Sequence, residues 1–380
     1  MRDFLEKHKV ILETIEPVFI GSGKSLRKKE YAIDKQSKKA WFFDEIKLYE
    51  YFSERKMLDK YEKYLIEERK PFEAWLKENR IYEKDYSNIS KYSLSCRDVA
   101  DLNTVKDILL FQKDAYGNPY IPGSSLKGAL RTVLAAGYIN NNPAEFDSDE
   151  QKIRREASNY KNRREASNYK NRKLYLSKEI KNIESIVFNK KRRDEKNRNS
   201  AVNDIMSGLR ISDSDQLSIN DLTICQKTDI DPKGKEHDLP IVRECLKPGT
   251  KIEFELTIDN TECEYITVEK IRESIESFLE NYNKEFAGKF KDFKNHQKDV
   301  IYIGGGSGYA TKALTYQLFS GTEAVKLTGE IINNTLPRTI QSKHKHYKDA
   351  SEWKVSPHMI KYAQFEGDLD EMGACKITIV

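Results

Sequence analysis

Apolar positions recur along this chain at two spacings, and each predicts a kind of element. Alternating or short unbroken apolar runs predict strands. They occur from Val10 to Ile20 with an interruption at Pro17, and on both arms of a hairpin between Tyr31 and Phe43. They return from Gln216 to Ile230, over Leu239–Ile258 with a break at Lys247-Pro248-Gly249-Thr250, and from Ala374 to Val380. Spacings of three and four predict helices. Between Asp44 and about Lys84 the periodic residues are Leu48, Tyr51 and Phe52, then Leu58, Tyr61, Tyr64 and Leu65. Pro71 starts a short helix with Phe72, Trp75 and Leu76, since proline suits a first helical turn. Further helices run from Ser124 to about Tyr138 and from Glu264 to Phe293, the latter with Ile271, Ile275, Phe278, Leu279 and Tyr282 on one stripe. The aromatics at these spacings read as core. The order of elements is that of an α+β protein with a mostly antiparallel sheet.

One strand candidate ends unusually. Ile301-Tyr302-Ile303 stops at Gly304, Gly305, Gly306 and Gly308, with Ser307 among them, and a helix-compatible segment from Tyr309 to Phe319 follows, carrying Lys312. Glycines admit positive φ and close backbone approach, so amide N–H groups can converge on an anion, and a helix start adds its own. A tight strand-to-helix turn that touches only protein explains the same residues. Two other segments suit phosphate. Gly21-Ser22-Gly23-Lys24-Ser25 is a basic glycine loop. It is not a Walker A motif, because Val18 stands where the first glycine belongs and no apolar helix follows. Gly123-Ser124-Ser125-Leu126-Lys127 opens the Ser124 helix, with Gly123 or Ser124 as the expected N-cap. Lys127 and Arg131, four residues apart, are expected to aim two cations at that helix end. Ser124-x-x-Lys127 lacks the partner motifs of a serine acyl-enzyme.

Composition narrows the classes. With 380 residues the chain favours two domains. It is 33% charged, with a mean hydropathy of −0.75 and no run approaching about 20 apolar residues, so no membrane span and a cytoplasmic location are expected. Five scattered cysteines, never spaced C-x-x-C, disfavour a disulfide scaffold or zinc ribbon. The net charge is +5, yet residues 151–200 hold 17 Lys/Arg against 6 Asp/Glu. That basic block suggests a polyanionic partner. Within it Arg154–Asn162 and Arg163–Asn171 repeat the same nine residues, too short for a solenoid unit and best read as a solvated insertion.

Chemistry is sparse. A metal-independent ribonuclease needs one or two histidines as acid and base. His8, His237, His296 and His358 are isolated, and His344 and His346 sit in basic sequence without a carboxylate or thiol at ligand spacing. Asp368, Asp370 and Glu371 read as solvated charge. No catalytic residue, metal or cofactor is assigned. Three phosphate-suited loops without an acid–base pair fit a protein that holds RNA by its backbone.

These segments together resemble a known family. The strand ending in Ile20-Gly21-Ser22-Gly23, the helix start Tyr120-Ile121-Pro122-Gly123-Ser124-Ser125-Leu126-Lys127-Gly128-Ala129-Leu130-Arg131 and the late glycine loop are similar to those of the RAMP superfamily, the repeat-associated RNA-binding proteins of CRISPR systems. Length, the helical insertion and the tail from Ser356-Pro357-His358 to Glu371-Met372-Gly373 resemble most the family of fifth Csm subunits of type III-A effector complexes. The resemblance implies two ferredoxin-like (RRM-related) domains. They would span 1–212, with a helical insertion at about 44–90 and a basic one at about 140–200, and 213–380, with the glycine loop. It further implies a non-catalytic subunit at the 3′ end of the guide RNA (crRNA), capping the subunit filament beside the adjoining backbone subunit and supporting crRNA maturation. Target RNA and 3′-trimming cellular nucleases are further expected partners. The alternative is a repeat-cleaving, metal-independent endoribonuclease of the same superfamily, using His8 or His358. The expected RNA contacts are Gly21, Ser22, Gly23, Lys24, Ser124, Ser125, Lys127, Arg131, Gly304, Gly305, Gly306, Ser307, Gly308 and Lys312.

Overall fold

The structure, a computed structural model, describes residues 4–97, 99–102, 107–159, 175–263, 265–294, 296 and 298–380. The elements follow in chain order. Strands β1 (Leu5–Thr14) and β2 (Gly21–Arg27) precede a hairpin, β3 (Tyr31–Asp34) and β4 (Lys39–Phe43). Four helices come next, α1 (Glu45–Glu54), α2 (Leu58–Glu67), α3 (Phe72–Glu78) and α4 (Glu83–Ile89), then β5 (Ser90–Ser95) and β6 (Asp107–Phe111). Helices α5 (Gly123–Asn141), α6 (Asp147–Asn159) and α7 (Ser177–Phe188) lead to β7 (Leu209–Ile211), β8 (Leu222–Ile230), β9 (Glu236–Leu246) and β10 (Lys251–Asp259). After α8 (Val268–Asn281) and β11 (Val300–Tyr302) come α9 (Thr315–Leu318), α10 (Gly321–Thr335), α11 (Arg338–His344) and α12 (Asp349–Glu352). Strands β12 (Ile360–Phe365), β13 (Asp368–Glu371) and β14 (Ala374–Ile379) close the chain.

The first sheet has the order β11-β14-β1-β10-β7, every pair antiparallel. Its β14-β1-β10-β7 portion, with α5 between β1 and β7 and α8 between β10 and β14, follows the βαββαβ path of a ferredoxin-like unit. Strand β1 explains itself by period two: Val10, Leu12 and Thr14 are buried while the residues between them are less so. Helices α5 and α8 pack tightly because Gly137 has no side chain; a Cβ there would lie 2.4 Å from the Ser274 hydroxyl oxygen. The second sheet has the order β13-β12-β8-β9-β6-β2, with one parallel step between β6 and β9. Both sheets draw strands from either side of residue 212, so the expected boundary there falls inside each sheet.

Residues 15–20 carry the chain from the first sheet to the second, and their backbone is stitched on both sides. Ile15 N–H donates to Ala374 O and Val18 N–H to Leu246 O, while Ile20 O accepts from Gln112 N–H. The expected single strand Val10–Ile20 therefore ends at Thr14, where the chain turns out of register toward Pro17. Beyond the crossover Gly21–Ser25 is not a loop but the start of edge strand β2, with a bulge between Gly21 and Ser25 opposite β6.

The helical insertion is a small unit of its own. Sheet β3-β4-β5 and α1–α4 enclose a separate core around Phe52, Tyr64, Phe72 and Trp75, as the periodicity predicts. Asp44 caps α1, accepting from Ile46 and Lys47 N–H. The basic insertion differs from its expectation. Arg154–Asn159, the front of the first repeat copy, lies in α6; Ala157 is buried and Arg154 pairs with Glu323 at 2.7 Å. The second copy lies outside the described residues. The long helix expected from Glu264 to Phe293 runs regularly only over Val268–Asn281, then widens into a π-turn at Tyr282–Phe286. Around the crossover, burial and then the hydrogen bond and charge of Asp370 push the Glu16 carboxyl up to about 8. Folded Glu16 thus keeps a proton that the unfolded chain loses from about pH 4.5, so stability should fall as pH rises from about 4.5 to 8. Glu16→Gln should flatten that fall in urea titrations at pH 4.5 to 8; an unchanged slope would show that Glu16 ionises freely in the fold.

Candidate nucleic-acid interface

The three segments singled out in the sequence meet at one cleft of about 440 Å³. Gly21 stands at one side, the outer face of α5 forms the floor, and Gly304, Gly305 and Lys312 form the opposite wall. The floor is the i, i+4 stripe Ser124, Gly128, Thr132 with Ser125 and Ala129 beside it, so it is small and uncharged. Of the expected contacts, Gly21, Ser124, Ser125, Gly304, Gly305 and Lys312 line this cleft. Ser22, Gly23 and Lys24 continue along the edge strand outside it; the Ser22 hydroxyl donates to Leu110 O at 3.1 Å, and Lys24 is exposed.

The start of α5 differs from expectation in its cap. Pro122 stands at the N-cap with φ −58°, no capping side chain comes from Gly123 or Ser124, and the Gly123 N–H is met by Asp213 Oδ1 at 2.8 Å. Gly123 is required because a Cβ would lie 2.3 Å from Ser212 O. The Ser124 hydroxyl stays exposed toward the cleft. Lys127 and Arg131 do not aim at the helix start. Lys127 Nζ donates to Leu209 O at 2.6 Å, and Arg131 pairs with Asp204 at 2.8 Å while its guanidinium lies 4.0 Å from the Phe188 ring centre. Their face of α5 is occupied by the segment entering β7, whose carbonyl and carboxylate they satisfy.

The glycine loop launches no helix. After β11 the chain turns irregularly through Lys312, and α9 covers only Thr315–Leu318, so the expected helix from Tyr309 to Phe319 and its free N–H groups do not form there. Gly304, Gly306 and Gly308 have φ of 77°, 95° and 98°, and their closest approaches are to the chain itself. A Cβ on Gly304 would lie 2.3 Å from Phe19 O, and the Gly305 N–H donates to that same oxygen at 2.7 Å. Ser307 is buried and hydrogen-bonded by Thr311. Lys312 Nζ donates to Gly304 O at 2.5 Å.

Gly306 reveals a residue the sequence did not flag. A Cβ there would lie 2.3 Å from Arg243 Nη1, on β9. Arg243 lies over the Phe19 ring at 5.2 Å and its Nη1 reaches Met372 Sδ at 3.4 Å, while its buried Nε has no partner among the described residues. Burial pulls its pKa below the usual guanidinium value. Burial, and then Arg243, likewise lowers Lys312. Lys361 on β12, lowered first by burial, shares Asp229 with Lys227 and also senses Arg243. Lys312 in the wall and Arg243 and Lys361 behind it thus form an under-neutralised cationic group. No motif surrounds Arg243; strand order alone brings it there.

No histidine lines the cleft. His8 lies on β1 with Nε2 3.6 Å from Glu6, and His358 is buried with Nδ1 2.6 Å from Asp349. The expectation of no carboxylate at ligand spacing near His346 is corrected: Asp349, three residues on, reaches its Nδ1 at 2.9 Å.

Comparison with known proteins adds to this geometry. The family model "RAMP superfamily" matches residues 11–309. A Streptococcus thermophilus protein named "CRISPR system Cms protein Csm5" is 31% identical over 328 residues, 83% of this chain and 82% of that one. A protein of the same name from Mycobacterium tuberculosis (strain CDC 1551 / Oshkosh) is 26% identical across 100% of this chain and 99% of its own. Two solved structures share the fold. A chain of "Cryo-EM structure of Csm-crRNA-target RNA ternary complex in type III-A CRISPR-Cas system" has a TM-score of 0.61 at 16% identity, covering 98% of this chain and 100% of that one. "Crystal structure of T.onnurineus Csm5" has a TM-score of 0.58 at 18% identity, covering 96% and 99%.

Two substitution types separate anchoring from lining. Gly304→Ala should cost roughly 2–5 kcal/mol through its positive φ and the Phe19 carbonyl. Lys127→Ala with Arg131→Ala should cost about 1–3 kcal/mol by stripping a buried carbonyl and a carboxylate of partners. Urea midpoints equal to the parent's would show that neither anchor is made.

Proposed function

Since the chain belongs to the RAMP superfamily, and within it to the Csm5 family, we propose that it is a non-catalytic RNA-binding subunit of a type III-A CRISPR ribonucleoprotein. It holds the 3′ part of the crRNA by its backbone, caps the subunit filament against the adjoining backbone subunit, and supports crRNA maturation by cellular nucleases. It works in the cytoplasm; no described helix is long and apolar enough to cross a membrane. On this reading the six-stranded sheet would stand for the second, altered RRM-related unit that the superfamily resemblance implies.

The cleft carries this reading. Three sequence-distant segments build one groove whose floor has small side chains and whose wall carries Lys312, with Arg243 and Lys361 behind it. A floor of serine, glycine and alanine lets a sugar–phosphate strand approach closely, and under-neutralised cations attract phosphates without reading bases. Tyr302 lines the cleft, but its hydroxyl donates to Glu371 at 2.8 Å and its ring is buried, so it offers no stacking platform.

Gly128 supplies the sharpest test. It sits in a helix with nothing within 4 Å of where a Cβ would stand, where alanine or leucine should stabilise the fold by roughly 0.5–1 kcal/mol. Gly128→Leu should therefore raise the melting temperature yet weaken crRNA binding about tenfold. Arg243→Ala and Lys312→Ala should each lower the slope of log K against log salt by ~0.7. Unchanged affinity and slope in all three would remove the cleft from the RNA path.

A further inference from the structure

Residues 346–358 fold back so that His346, Asp349 and His358 meet away from the cleft, only 8%, 1% and 7% exposed. One ligand atom from each lies within 4.8 Å of the other two. Asp349 is the hub: Oδ2 faces His346 Nδ1 at 2.9 Å and the Ser356 hydroxyl at 2.7 Å, and Oδ1 faces His358 Nδ1 at 2.6 Å. The imidazole rings of His346 and His358 lie 4.8 Å apart, and Trp353 stacks on His358 at 5.6 Å. Burial alone would raise the Asp349 carboxyl, but hydrogen bonds from His346, His358 and Ser356 outweigh it and hold it below its ordinary value.

A carboxylate this deeply buried needs compensation. No lysine or arginine among the described residues lies within ion-pair distance of Asp349. Two imidazole nitrogens and one carboxylate are instead a ligand set for a borderline divalent cation. Calcium and magnesium want six or more oxygens, and the cluster offers one carboxylate and one hydroxyl. Tetrahedral bonds of about 2.0–2.2 Å put neighbouring ligands about 3.3 Å apart. The two histidine nitrogens stand 2.9 and 2.6 Å from the two Asp349 oxygens, and the three ligand atoms lie within 4.8 Å of one another, so small side-chain shifts, opening the Asp349 contacts and drawing in the longest separation, would give that spacing.

The surrounding chain gives such an ion a purpose. Helices α11 and α12 have seven and four residues, too short to stand alone, and no described residue of α11 is buried. What ties the segment down is this cluster, with Tyr316 OH donating to Ser356 O at 2.5 Å and α10 passing so close that a Cβ on Gly329 would lie 2.4 Å from His346 O. We propose that His346, Asp349 and His358 bind one zinc-class divalent cation, with Ser356 or a water in the fourth position, as a structural clamp fastening residues 338–358 to α9 and α10.

The test uses the full chain, expressed with zinc, chelator-washed and measured for metal by mass spectrometry. About one equivalent of zinc should remain or rebind, added zinc should raise the melting temperature, and cobalt should give the visible bands of a tetrahedral site. Asp349→Asn and His358→Gln should each lose the metal, whereas His344→Ala, next to the cluster but outside it, should keep it. Should either variant misfold, the parent's stoichiometry and zinc-dependent melting still decide. Less than a tenth of an equivalent with no zinc-induced shift would overturn the proposal and leave a hydrogen-bonded cluster only. Metal retained in both Asp349→Asn and His358→Gln would place the ion elsewhere and overturn it equally.

Discussion

The crossover at residues 15–20 is the constraint on which the rest depends. A backbone passing between two sheets must have its N–H and C=O groups paired where water cannot reach them. Here the partners come from four distant places: Ala374 on β14, Leu246 on β9, Gln112 after β6 and Gly305 in the glycine loop. Pro17 fits because it lacks an N–H, and its carbonyl accepts from Gly373 N–H at 3.0 Å. Gly304 and Gly373 follow from the same demand. Side chains there would strike Phe19 O and Ile303 O, at 2.3 and 2.6 Å. Much of the glycine pattern is thus explained by the chain embracing its own crossover.

That embrace also shapes the cleft. Drawing the glycine wall onto Phe19 fixes Gly304 and Gly305 opposite α5 and leaves Arg243 lodged against Gly306. An arginine so placed has given up water for an aromatic face and a thioether. A guanidinium keeps its charge under such conditions and retains unused donors. The packing of the crossover and the placing of this cation are therefore two results of one arrangement, since the glycine loop that receives Phe19 at Gly304 also makes room for Arg243 at Gly306.

What the sequence revealed was mainly local. The hairpin Tyr31–Phe43, the core of α1–α3 with Pro71 opening α3, and most of the span of α5 follow from period and local residue chemistry. The three glycine- and serine-bearing segments were each legible by composition, but that part of each lines one cleft follows from the fold and not from any pattern in the sequence. What escaped depends on partners far along the chain. The cap of α5 comes from Asp213, Lys127 and Arg131 serve the chain entering β7, and Arg243 stands where strand order places it. The segment Tyr309–Phe319 looked helical, yet three glycines with positive φ and the buried Ser307–Thr311 contact hold its beginning in turns. Ala157, read as part of a solvated repeat, is core because α6 packs beside α7.

The ferredoxin-like path has a consequence for how the chain assembles. Its first strand pairs with its last: Val10 stands opposite Ile379 and Thr14 opposite Cys375. Strand β14 lies between β1 and β11, so the five-stranded sheet is incomplete until the final residues arrive. Closing so long a loop costs entropy before any of its contacts form, and folding dominated by such pairings is slow. The insertion around α1–α4 has its own core and short-range contacts, so it has the features of a unit that forms early. The crossover cannot be satisfied that soon, because its partners Gly305, Gly373 and Ala374 are late in the chain. The glycine wall consequently waits on β14, because β11, the strand that leads into it, pairs with β14 alone, whereas Arg243 and Lys361 stand on strands of the other sheet.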